Sequence, residues 1–151
     1  MAAGRPARRG PRGEPRAARG HTVFVRVWID EWQQTCCGDE IAEGDALTLH
    51  LRRVDQPWFD VAFGPSFAAG LAGCDETHEP TDVERIVEGR VRRIEAASCA
   101  YETLPDGSGA VPVRGSGELH RVRVIDGTYR PMRGQEIVGY VVELAGARDR
   151  P

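Results

Sequence analysis

The sequence predicts an all-β fold, mainly antiparallel: a small barrel of the SH3-like or OB-like kind, or a curled sheet, with one long irregular excursion. Three observations carry this. Runs at 23–29, 46–54, 119–125 and 137–144 show period-two alternation of their side chains, the pattern of a pleated segment. Eighteen glycines and ten prolines punctuate 151 residues, which suits short strands and many turns better than a helical bundle. A chain of this length has room for one domain with an ordinary core.

Residues 1–21 form an Arg/Gly/Pro-rich arm with no aliphatic side chain larger than Ala beyond Met1. It has nothing to bury and is expected to be disordered. The β-rich domain is expected over residues 22–145, with 146–151 as a frayed tail. Within it, Val23, Val25, Val27 and Ile29 open the first strand. Gly44-Asp45 supplies a turn before Leu47, Leu49 and Leu51. Residues 55–82 are the excursion: Pro57, Pro65 and Pro80 interrupt it, Phe59–Phe63 suggests one short strand, and Phe67–Gly73 a helical turn. Residues 83–101 read as a long strand, since β-branched residues and Gly89 outweigh a helical alternative. Asp126-Gly127 makes a tight turn, and Val138, Tyr140, Val142 and Leu144 share one face of the closing strand.

All twenty basic residues are arginine, as GC-rich coding produces. The net charge of −3 conceals an asymmetry, for residues 1–20 carry six arginines against Glu14 and leave the remainder at −8. An acidic domain repels phosphate backbones, so a protein partner is expected ahead of nucleic acid. No apolar run approaches bilayer-spanning length and no signal segment is evident. The expected location is the cytoplasm, where four cysteines serve as thiols or metal ligands more readily than as disulfides.

Two constellations stand out. Trp28 and Trp32 either present an aromatic binding surface or plug one end of a small barrel. Cys36, Cys37, Cys74 and His78 supply the thiolate and imidazole donors that zinc prefers, although adjacent cysteines make a poor chelate. The alternative is that one of the pair packs beside Trp32 while the other is a free thiol, and that Cys99 is core. A strained Cys36–Cys37 disulfide would act as a redox switch. The carboxylates of Asp75, Glu76, Glu79 and Asp82 around His78 read as a solvated acidic loop. No catalytic residue is assigned: Gly-x-Ser-x-Gly, phosphate-loop and His-Glu-x-x-His patterns are all absent from the sequence.

The run from Val27 to Asp45, VWIDEWQQTCCGDEIAEGD, resembles the V-W-x-x-x-W-Q-x-x-C-C-G-x-x-[FI]-x-x-G-D pattern of an uncharacterised actinobacterial family of small proteins. Ile41 stands where the pattern usually has an aromatic residue. The similarity runs on through His78, Gly89–Ile94 and Gly139–Leu144, and so covers most of the chain after residue 22. The resemblance implies kinship and assigns no activity. The expectation carried forward is a non-enzymatic binding or regulatory module without a cofactor. Its rival is a zinc- or thiol-dependent protein built on the Cys36, Cys37, Cys74 and His78 set.

Overall fold

The computed structural model describes residues 23–76 and 80–151. The arm expected at residues 1–21 lies outside them. In chain order the elements are β1 (Phe24–Asp30), α1 (Glu31–Cys37), β2 (Ile41–Ala42), β3 (Ala46–Arg52), α2 (Gln56–Phe63), a 3-10 turn (Ala68–Gly70), β4 (Gly73–Asp75), a second 3-10 turn (Pro80–Asp82), β5 (Arg85–Cys99), β6 (Tyr101–Thr103), β7 (Ala110–Pro112), β8 (Glu118–Val122), β9 (Val124–Ile125) and β10 (Glu136–Arg150).

Five strands close on themselves in the order β10-β1-β4-β3-β5, with β5 returning to β10, and β8 adds a sixth strand beside β5. The small, mainly antiparallel barrel expected from the alternating runs is what forms. Among the described residues only β1 and β4 run parallel. The length of β5 makes closure possible: β10 lies along one edge from residue 86 to 99, while the other edge takes β3 at 85–90 and β8 at 94–98. Barrel closure removes the open edges that would otherwise invite further strand pairing.

Alternation along each strand sorts the side chains into two apolar layers. The barrel interior holds Val27 and Ile29, Leu49 and Leu51, Val87, Val91 and Ile94, and Tyr140, Val142 and Leu144, with Ile41 and Ile125 joining from the short β2–β9 pair. The outer layer holds Trp28, Cys74, Ala97 and Val141 under Phe59 and Ala68. Strand β10 does not keep one parity. A register shift between Ile137 and Gly139 inserts an extra residue, so Ile137 packs on the interior cluster and Val138 on the outer one. The expectation that Val138 shares a face with Tyr140, Val142 and Leu144 is therefore corrected.

Two further expectations are revised. Phe59–Phe63, expected as strand, belongs to α2, because Pro57 sits in the first helical turn, where a missing N–H costs nothing. Trp58, Phe59, Ala62 and Phe63 then fall on one side at helical spacing, and Gly64 ends the helix at φ 95°. The carboxy-terminal residues expected to fray continue β10 to Arg150, paired with Ile86, and Arg148 bridges to Glu88 at 3.1 Å.

Candidate functional site

The chain leaves β1 at Asp30 and turns into α1. Glu31 accepts a hydrogen bond from the Thr35 hydroxyl at 2.7 Å across one turn, and the Gly38 N–H closes the helix on the Gln34 carbonyl at 3.0 Å. Buried Gln33 anchors this short helix, donating its amide to Asp75 at 3.0 Å, while the other Asp75 oxygen accepts the His50 backbone N–H at 3.0 Å. Asp75 is thus a buried clamp between α1, β3 and β4, and not part of a solvated acidic loop. Burial raises its carboxyl above the usual range, against the opposing effect of the His50 and Gln33 donors.

Helix α2 lies across the outer face of the barrel on an aromatic cluster. The Trp28 ring meets Phe59 edge-on at 4.8 Å, Phe63 at 6.0 Å and Phe67 at 6.2 Å. Trp58 approaches Phe59 at 5.1 Å. Such edge and tilted contacts contribute about 0.5–1.5 kcal/mol each beyond the area they bury.

Between α1 and α2 a cleft of about 460 Å³ opens at one end of the barrel. Its walls are Asp30, Glu31 and Trp32 on one side, Asp55, Trp58 and Phe59 on the other, and Tyr101 with Glu136, Ile137 and Val138 across the back, with Arg52 and Cys74 between. The two strand ends meet here because Asp30 pairs with Gly139, and Trp28 and Arg52 both pair with Cys74. Asp30 is committed: it accepts the Trp28 indole N–H at 2.8 Å and Arg52 at 3.0 Å. Arg52 also reaches Glu76 at 3.2 Å. Among the described residues, the carboxylates of Asp55 and Glu136 take no hydrogen bond or ion pair. Four carboxylates and four aromatic rings therefore line a cleft with one guanidinium, itself already bridged.

Electrostatics in the cleft keep its acidic hydrogens on. Burial, partly offset by Arg52, pushes the Cys74 thiol up to about 12. Burial, with Cys99 and Glu136 beside it, pushes the Tyr101 phenol up to about 12. Both stay neutral near pH 7, so the negative charge in the cleft comes from carboxylates alone.

The residues singled out in the sequence separate in space. Trp28 is 1% exposed and belongs to the outer core, whereas Trp32 is 54% exposed on the cleft wall. Cys36 and Cys37 are both exposed at the end of α1, so neither packs inward. Their sulfurs are 2.7 Å apart, and the hydrogen bond shared with Cys36 raises the Cys37 thiol. Cys74 is buried on β4 and Cys99 is buried at the end of β5. His78 lies outside the described residues, and among those described no group of three or more His, Cys, Asp or Glu side chains could hold a metal ion. Asp55, Trp58, Tyr101 and Glu136 are not singled out by the sequence pattern as site residues. A signal for Trp58 exists, since it lies one helical turn before Ala62 and next to Phe59.

Fold and site define a small closed barrel with an aromatic, acidic cleft at one end. Residues 23–146 match the model of a Family of unknown function (DUF6578), and the chain belongs to that family. No curated protein and no solved structure matches it. Among the described residues no helix is long and apolar enough to cross a membrane.

Proposed function

We propose that the protein is a non-enzymatic cytoplasmic binding module whose cleft takes an organic cation, an ammonium or guanidinium group that is either free or presented by a protein partner. One observation carries this reading: the carboxylates of Asp55 and Glu136, unpaired among the described residues, converge with Trp32, Trp58 and Tyr101 on one cleft. A cation against aromatic faces gains about 0.5–1 kcal/mol where exposed and about 2 kcal/mol where desolvated, and the carboxylates add attraction at a distance. An anion would meet repulsion, since the Arg52 charge is already spent on Asp30 and Glu76. The acidic balance of the chain beyond residue 20 supports the same sign of ligand.

Tryptophan fluorescence and calorimetry with choline test this, against the neutral analogue in which carbon replaces the quaternary nitrogen. Saturable binding of choline that is absent for the neutral analogue, and is lost in Trp32→Ala and in the Asp55→Asn, Glu136→Gln double variant, is the expected result. A peptide carrying a methylated lysine, run in parallel, separates a free cation from a partner's side chain by which binds more tightly. Equal binding of charged and neutral analogues, or none of either cation, would overturn the reading.

A further inference from the structure

The thiols of Cys36 and Cys37 lie together on the exposed end of α1, away from both apolar layers. Neither does packing work: both are exposed, and their sulfurs sit 2.7 Å apart. Two thiols in contact and open to solvent are placed for oxidation in a way that buried Cys74 and Cys99 are not. We propose that Cys36 and Cys37 form a reversible redox couple, closing a bond within the pair when a small-molecule disulfide oxidises them.

The exchange balances in two steps. One cysteine thiolate attacks a sulfur of the small disulfide and expels one small thiolate, leaving a mixed disulfide. The neighbouring thiolate then attacks the protein sulfur of that mixed disulfide and expels the second. The two protein sulfurs lose two electrons, the small disulfide gains them, and the two protein thiol protons end on the released thiols.

The product is strained, and this makes it a switch. Adjacent Cα atoms are about 3.8 Å apart across a trans peptide, below the roughly 4.4–6.8 Å that disulfides ordinarily span. Strain of this kind raises the reduction potential and keeps the bond easily reversed. It also falls on the end of a helix of only seven residues. Closing the ring distorts the Cys36–Cys37 backbone and opposes the Gly38 N–H to Gln34 carbonyl bond that terminates α1. Because α1 spans only Glu31–Cys37, Trp32 lies one turn before Cys36 and the loss of the last turn is passed directly to its own. The couple and its effect on α1 are independent of what the cleft holds.

The test equilibrates the full chain with mixtures of reduced and oxidised glutathione, quenches with acid, and maps thiols by mass after alkylation and proteolysis. The expected product at intermediate ratios is the peptide containing residues 36 and 37 lighter by two hydrogens, with Cys74 and Cys99 still reduced and the change reversed by dithiothreitol. Tryptophan emission should shift in step with that peptide, and the shift should be lost in Trp32→Phe while the mass change remains. Cys36→Ser should convert the product to a glutathione adduct on Cys37. Stable glutathione adducts on both cysteines of the native pair, disulfide-linked dimers, or a pair that stays reduced at every ratio would each overturn the proposal. A mass change with no Trp32 response would overturn its link to α1.

Discussion

The indole of Trp28 lies across the bare backbone of Gly139. A Cβ added at Gly139 would collide with the Trp28 ring and come within 2.7 Å of the Ile29 carbonyl oxygen. Gly139 follows the register shift in β10 and pairs with Asp30 on one side and Ala97 on the other. The absent side chain is what allows the largest ring in the outer core to lie flat where β1 meets β10.

Gly139→Ala should therefore destabilise the barrel by about 1–3 kcal/mol, since neither a buried indole nor a paired strand can give way cheaply. A clear fall in thermal midpoint is the expected result. An unchanged midpoint would mean that the Trp28 ring has room to shift.

Trp28 and Trp32, four residues apart in the sequence, should behave oppositely. Trp28→Ala empties the centre of the aromatic cluster and should cost about 3–5 kcal/mol. Trp32→Ala removes an exposed ring and should change stability by about 0.5 kcal/mol or less, while abolishing cation binding. Chemical denaturation of both variants measures the difference. Similar losses in the two would show that Trp32 is a structural residue.

How much of this was legible in the sequence follows from which physical signals are local. Period-two alternation at 46–54 identifies β3 because that strand buries one face, Leu49 and Leu51, whereas at 23–29 it identifies β1 although that strand buries Val27 and Ile29 on one face and Trp28 on the other. Helix α2 is hidden in the sequence because Pro57 reads as an interruption, whereas two residues after the N-cap Asp55 it marks a helix start. The parallel β1–β4 pair was invisible, since Gly73–Asp75 is three residues long and carries no period. The cleft was harder still. Asp55, Tyr101 and Glu136 are distant in sequence and come together only through barrel closure, and nothing in the local pattern at Asp75 announces a buried clamp.

That clamp has a consequence for acid stability. Asp75 has a folded-state carboxyl raised above its unfolded value, chiefly by burial. Folding then favours its protonated form, so the native state binds more protons than the unfolded one between the two values. The contribution of Asp75 is greatest at low pH and declines as pH rises through that window, then levels off. Urea unfolding of wild type and Asp75→Asn across the acid range should show the stability difference shifting against wild type as pH rises. A difference independent of pH would show that the carboxyl is not raised.

The Cys36, Cys37, Cys74 and His78 set requires Cys74 to give up its proton, because zinc binds the thiolate. In the structure Cys74 packs with Trp28, Ala97 and Val141, with its thiol pushed up to about 12. Cys36 and Cys37 face solvent at the end of a different element. We therefore expect purified protein to carry no stoichiometric zinc, and Cys74→Ser to leave its metal content and its stability against chelator unchanged. Native protein treated with iodoacetamide near pH 7 should label at residues 36 and 37 and resist at 74 until unfolded. If elemental analysis instead finds close to one equivalent of zinc, lost in both Cys74→Ser and His78→Ala, the thiol must be deprotonated by the metal. The end of α1 would then be tied to β4 through that ion, and not free to open on oxidation.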